Sequence, residues 1–212
     1  MTQVQPARAK AQHYVRVAKA VRRADLQVGR RAPVLRTAVR SDAKKIYELI
    51  QRNQQTGHLL PRQLSELTSR IGRFVVGVDG RGSIVACGEL APLSASLAEI
   101  RSLVVSEKHR GRGLGRRIVD ELKLRARTSG YDDLCVFAHQ PAYFAHMGFS
   151  IVPHTWLPEK IMADCRNCAL FRRCEQYAMV TDLDMTPEVQ PFEAQGKPFD
   201  QAQGKPSAHA HV

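Results

Sequence analysis

"VVSEKHRGRGLGRRIVDEL", residues 104–122, joins an apolar run to an amphipathic one through three glycines and four arginines. Beyond the glycines, Leu114, Ile118, Val119 and Leu122 repeat at helical spacing, so the stretch reads as strand, loop and helix. Glycine at such a junction lets backbone N–H groups approach a ligand closely. The positive end of the adjoining helix favours an anion. The pattern therefore points to a phosphate-rich partner.

The surroundings extend this unit into a sheet. "VLRTAVRSDAKKIYELIQRNQQTG" (34–57) predicts a strand over Val34 to Val39. Ser41 and Asp42 then cap a helix that turns Ile46, Leu49 and Ile50 to one face. "FVVGVDGRGSIVACGEL" (74–90) is two apolar runs joined by Asp-Gly-Arg-Gly, a hairpin signal. "LAEIRSLVVS" (97–106) is the strand that feeds the loop. After the helix ends at Gly130 come a strand, "DLCVFA", a short helix closed by Gly148, "PAYFAHMGF", and a last strand, "EQYAMVTDL". The order β-α-β-β-β-α-β-α-β combines hairpin and crossover connections and predicts a mixed α/β sheet in one domain over residues 34–185.

Both flanks differ from this core. Residues 1–40 hold ten Lys or Arg against a single acid, Asp25, so residues 1–33 read as a basic flexible arm, with a frayed helix from about Tyr14 to Ala24. Residues 186–212 carry AQGKP at 194–198 and again at 202–206 with few apolar groups, the composition of a disordered tail. The net charge of +12 over 212 residues calls for an anionic partner: nucleic acid, a membrane surface or a phosphorylated or carboxylated small molecule. No apolar run approaches the roughly 20 residues of a membrane span, and the start lacks a secretory core, which places the chain in the cytoplasm. An Arg-rich, acid-poor start is also what an organellar transit peptide shows. Neither a helix-turn-helix pattern nor aromatic-basic interleaving is present, which disfavours nucleic acid.

Three phosphate loops compete at the junction. A Walker loop needs Lys and Ser or Thr after its last glycine, but Arg116 and Arg117 come after Gly115. A dinucleotide fingerprint starting at Gly111 needs a glycine where Arg116 stands. The spacing that fits is Arg110-x-x-Gly113-x-Gly115, which resembles the acyl-CoA loop of the GNAT acetyltransferases. "EIRSLVVSEKHRGRGLG", "AYFAHMGF" and "WLPEKIMADCRNCALFRRCEQYAMV" are similar, more finely, to short stand-alone bacterial N-acetylglutamate synthases. The resemblance covers roughly residues 34–183 and implies a GNAT fold in which the strand at 99–105 splays from the strand at 134–138. It implies acetyl-CoA as cosubstrate. Its diphosphate would lie on Arg110, Gly111, Arg112, Gly113, Leu114, Gly115 and Arg116, and its pantetheine along Leu103, Val104 and Val105, with Phe144 nearby. An N–H at or near Val104 would polarise the thioester carbonyl.

The same resemblance implies direct transfer to the α-amino group of L-glutamate, giving N-acetylglutamate, the first step of arginine biosynthesis. Guanidinium groups hold carboxylates bidentately, and the resemblance puts Arg36 and Arg101 first as substrate-binding residues, then Arg62 and Lys160, against the alternative of solvated surface charge. Glu99, at the entry of the central strand, reads as the general base, acting through a water, against the alternative of a strand-edge carboxylate satisfied by backbone. Many GNAT enzymes place a Tyr acid four residues before the Gly of the Gly-Phe pair. Here that position is Phe144, with Tyr143 beside it about 100° round the helix, and His139 is a substitute acid. Competing readings are a GNAT enzyme for another amino acid, a small amine or a protein lysine, and a nucleic-acid-binding or metal-sensing protein.

Cys87 and Cys135 sit in apolar strands and read as small buried hydrophobes. Cys165-x2-Cys168-x5-Cys174 has the opening spacing of a zinc site, with His154, Asp164 or the second chain of a homodimer as fourth ligand; the alternative is three reduced thiols.

Overall fold

A computed structural model describes residues 32–57, 59–168 and 170–183. The tail expected over residues 186–212, and the basic arm expected over 1–33 apart from its last two residues, lie outside the described residues. The strands are β1 (Val34–Thr37), β2 (Phe74–Val78), β3 (Ile84–Pro92), β4 (Leu97–Val105), β5 (Asp133–Ala138), β6 (Ser150–Val152) and β7 (Tyr177–Asp182). They form one sheet in the order β1-β2-β3-β4-β5-β7-β6. Only β4 and β5 run parallel. The helices are α1 (Ala43–Gly57), α2 (Leu64–Ser69), α3 (Leu114–Thr128), α4 (Pro141–Ala145) and α5 (Pro158–Ala163).

The mixed α/β expectation holds, and local chemistry explains its elements. At the β2–β3 turn one Asp79 carboxylate oxygen accepts the N–H groups of Arg81 and Ser83, both at 2.9 Å. Phe74, Val75 and Val76 are fully buried because helices cover both faces of β2. On one face Ile46, Ile50 and Leu67, from α1 and α2, pack on Phe74 and Val76. On the other, Ile118, Val119 and Leu122 of α3 pack on Val75, Val85 and Ile100. Each such fully buried side chain contributes about 1.5–3 kcal/mol. The α3 contact needs glycine at Gly88, where a Cβ would lie 2.8 Å from the Ile118 side chain. The sequence pattern missed α2, α5 and β6. They are six, six and three residues long, too short to carry a period.

Strand β4 is irregular in two places. Its pairing with β5 runs from Leu97↔Asp133 to Ile100↔Val136 and stops, so Arg101–Val105 pair with β3 alone. This is the splay that the family resemblance implies. At the same level Arg101 faces Glu89 and Val104 faces Cys87, so Ser102 and Leu103 together oppose the single residue Gly88. That bulge gives Ser102 a φ of 49°, the only positive φ at a non-glycine position among the described residues.

Candidate active site

The loop after β4 makes one short turn, Glu107–His109, stabilised by a 2.8 Å contact between the Ser106 hydroxyl and Nδ1 of His109. Arg110 ties the loop down, donating from Nε to the Val105 carbonyl (3.0 Å) and from Nη2 to the Asn53 side chain (2.6 Å). Gly111 and Gly113 then take φ of 71° and 74°, conformations that L side chains rarely adopt. Gly113 is also the N-cap of α3, and no side chain caps that helix. The first-turn N–H groups, from Leu114 onward, are therefore open to an outside acceptor, and the helix supplies its positive end. Arg112 and Arg116 are exposed beside them. The residues expected to hold a diphosphate are thus together, with Leu103, Val104 and Val105 leading in from the unpaired limb of the splay.

On the face of β4 opposite the one that packs Ala98 and Ile100 on α3 lies a cluster of charges. Glu99 is buried, and its Oε1 and Oε2 accept from Lys160 Nζ at 2.7 and 2.9 Å. Oε2 also accepts from Arg101 Nε at 2.6 Å. Asp164 accepts from both Arg101 and Lys160. Burial works against the Arg101 cation, but Glu99 and Asp164 outweigh it and raise its pKa. Burial also opposes the Asp164 carboxylate, yet Lys160 and Arg101 hold its pKa below the usual range. One residue further along, Arg62 donates to Glu66, to the Ser102 hydroxyl (3.1 Å) and to Glu89 (2.8 Å). Two of the four expected substrate cations, Arg101 and Lys160, therefore meet on Glu99, and a third, Arg62, pairs with Glu89, which stands opposite Arg101 in the sheet.

Arg36 does not join them. On the edge strand β1, it forms a bidentate pair with Asp42 (2.6 and 3.0 Å), and Asp42 also accepts the Val39 N–H at 2.8 Å. The Arg36 guanidinium holds the Asp42 carboxyl below its ordinary range. Arg36 thus secures the entry to α1. As a charge within a strand it had the pattern of a substrate ligand, but its partner lies only six residues on.

The two adjacent aromatics divide the work. Phe144 is buried in the core, edge-on to Phe149 at 5.6 Å. Tyr143 points the other way, and its hydroxyl sits where a Cβ on Gly115 would be. The phenol therefore lies over the first turn of α3, and burial raises its pKa. His139 is one residue beyond β5, partly buried on the other limb of the splay.

The zinc expectation is corrected. Among the described residues no group of three His, Cys, Asp or Glu side chains is placed to hold a metal. Cys165 and Cys174 belong to two separate short turns, with Cys168 between them. Of the proposed fourth ligands, Asp164 is committed to Arg101 and Lys160, and the His154 ring lies against Phe137 at 5.5 Å. Burial also raises the Cys165 pKa, which opposes the thiolate a metal needs. Cys87 and Cys135 are fully buried as expected, and burial pushes the Cys87 thiol up to about 12.

Sequence reasoning missed Glu66, Glu89 and Ser102 as members of the site. For Glu89 a signal existed: it is a charge inside the apolar run "IVACGELAP", and a buried charge needs a partner.

Comparison with known proteins agrees with this architecture. Residues 70–151 match the family model described as "Acetyltransferase (GNAT) domain". An uncharacterized N-acetyltransferase of Chlorobaculum tepidum is 31% identical over 149 residues, 70% of this chain and 96% of that one. An amino-acid acetyltransferase of Mycobacterium tuberculosis is 32% identical over 64% of this chain and 79% of its own. Among solved structures, a Mycobacterium tuberculosis protein in complex with CoA is similar with TM-score 0.62 and 26% identity, over 71% of this chain and 99% of the other. The N-acetylglutamate synthase of Neisseria gonorrhoeae, complexed with coenzyme A and N-acetyl-glutamate, gives TM-score 0.63 and 26% identity over 71% of this chain. The match spans 35% of that longer protein. The fold and these relatives define an acyl-group transferase. The chain belongs to the GNAT family of N-acetyltransferases.

Proposed function

We propose that the protein transfers the acetyl group of acetyl-CoA to the α-amino group of an amino acid, with L-glutamate the leading acceptor. One observation carries this reading: Arg101 and Lys160 converge on Glu99 beside the splay, with Arg62 held by the neighbouring Glu89, while an uncapped helix end lies beyond the same strand. The open edge of the Arg101 guanidinium suits the carboxylate of an amino acid. Relatives named amino-acid acetyltransferase and N-acetylglutamate synthase support the same class.

The diphosphate of acetyl-CoA binds the N–H groups from Gly111 to Arg116, and its pantetheine adds to the free edge of Leu103–Val105 as a further strand would. The acceptor carboxylate docks on Arg101. A carboxylate offers about four acceptor positions, and three on Glu99 are taken, leaving one for the ammonium or a bridging water. Glu99 removes the proton, and the amine nitrogen attacks the thioester carbon. A β4 N–H near Val104 receives the charge developing on oxygen. The carbon–sulfur bond then breaks, the thiolate takes a proton from Tyr143, whose raised pKa keeps its phenol protonated at neutral pH, and the second proton shed by the new amide nitrogen passes through water to restore the phenol. Phe144 backs Tyr143 from the core, and His139 is not needed for this route.

A thiol-release assay across the twenty amino acids tests the reading. L-glutamate is expected to rank far above alanine and lysine. Release with L-glutamate no greater than with those two overturns it.

A further inference from the structure

We propose that Glu89 is a specificity-determining residue: its buried carboxylate neutralises Arg62 and so weakens the site's hold on a second carboxylate of the acceptor. This rests on the amino-acid reading above and concerns the same site.

Glu89 stands on β3 opposite Arg101 of β4, and it is fully buried. A buried carboxylate is costly unless all its lone pairs find donors. Oε2 accepts from Arg62 at 2.8 Å, but Oε1 has no hydrogen-bond partner among the described residues. A buried carboxylate that pairs with Arg62 through one oxygen and leaves the other unpaired, at the level of the β4 bulge, directs attention to the site it adjoins.

The donors around it show what it does. Arg62 gives Nε to Glu66, Nη1 to Ser102, and Nη2 to Glu89 and Glu66 together. Lys160 faces three carboxylate oxygens with its three N–H groups. Of these cations around Glu99, Arg101 alone keeps a whole nitrogen, Nη1, out of any hydrogen bond among the described residues. One open guanidinium edge matches one carboxylate. The formal charges agree: Glu66, Glu89, Glu99 and Asp164 balance Arg62, Arg70, Arg101 and Lys160. A zwitterionic acceptor enters without upsetting that balance. A dicarboxylate adds a negative charge and has to compete with Glu89 for Arg62. Glu89 therefore tempers the site toward its acceptor's distal end.

The test compares kcat/KM for L-glutamate and L-glutamine, which differ only in carboxylate against carboxamide, in the full chain. Glu89→Gln keeps the volume and an oxygen for Arg62 but removes the charge. The KM for L-glutamate is expected to fall about tenfold while those for L-glutamine and acetyl-CoA stay within about twofold. Arg62→Ala strips the cation and leaves the Glu89 charge uncompensated, so it should lower kcat/KM for L-glutamate about tenfold more than for L-glutamine. A glutamate-to-glutamine ratio unchanged by Glu89→Gln overturns the role of Glu89. If that variant does not fold, an equal fall for both acceptors in Arg62→Ala overturns it. A wild-type chain that turns over neither amino acid removes the amino-acid reading and this inference with it, whereas intact turnover with an unmoved ratio removes the inference alone.

Discussion

The loop from Ser106 to Gly115 and the charge cluster around Glu99 attach to one strand, β4, and are built in opposite ways. The loop is contiguous, largely exposed, and works through main-chain N–H groups that glycine conformations at Gly111 and Gly113 bring forward. The cluster is assembled from positions as far apart as Arg62 and Asp164, is largely buried, and works through side chains that already satisfy one another. A backbone site for diphosphate can serve any acyl-CoA. A preneutralised side-chain site can discriminate among acceptors, because every new charge has to displace an existing partner. On the proposed function the two halves divide common chemistry from specificity along the length of one strand.

Four substitutions and one pH series separate these halves, beginning with the most damaging. Lys160→Met leaves Glu99 buried with one cation fewer and should lower stability by about 3 kcal/mol, read as a fall in Tm; an unchanged Tm would mean that the cluster is not a unit. Gly113→Val forces a β-branched residue into a φ of 74° and should weaken coenzyme A binding about a hundredfold by calorimetry, with undiminished binding counting against the loop. Arg101→Ala should raise the acceptor KM about thirtyfold while that for acetyl-CoA stays within about twofold. Equal rises in both would break the division of labour.

The fourth substitution lies outside both regions. Asp42→Asn should cost about 1 kcal/mol at pH 7 by losing the charge-assisted bonds to Arg36 and Val39. Because the folded-state pKa of Asp42 is depressed, its contribution is present above the ordinary carboxylate value of about 3.9 and is lost as pH falls through the lower folded value. Denaturation of wild type and variant, monitored from pH 7 to pH 3, should show the gap closing at the acid end. Catalysis by both should be equal within about twofold, since Arg36 faces Asp42 and not the acceptor cluster. A large rise in acceptor KM in this variant would return Arg36 to the site.

Legibility in the chain divides along the same line. The strand-loop-helix unit, the hairpin and the α3 stripe were readable because each depends on residues within a turn or a strand of one another. Arg101, Glu99, Lys160 and Arg62 could each be singled out as charges worth watching, but the pairing of Glu99 with Arg101 and Lys160, and of Arg62 with Glu89, was not readable. Arg36 looked equivalent to Arg101 by the same rule of a charge within an apolar strand. The difference is that β1 is an edge with Asp42 in reach, while β4 is central and offers Arg101 only Glu99 and Asp164. The cysteines misled because ligand spacing is local, whereas a metal site needs convergence, and Asp164 was already committed. Tyr143 was readable only as a neighbour of the expected position, and its approach to Gly115 required α4 to be placed against α3.

Taken alone, the order of residues determined the glycine-arginine loop between strand and helix, the mixed sheet and the family resemblance, since backbone conformation and hydrophobic period are short-range properties. Tertiary structure decided where β4 leaves β5, that Arg101 pairs with Glu99 while Arg36 pairs with Asp42 at a helix entry, and that Glu89 holds Arg62 with one oxygen unpaired among the described residues. The physical reason is burial: a charge becomes selective only when the fold removes water from it and fixes its partners.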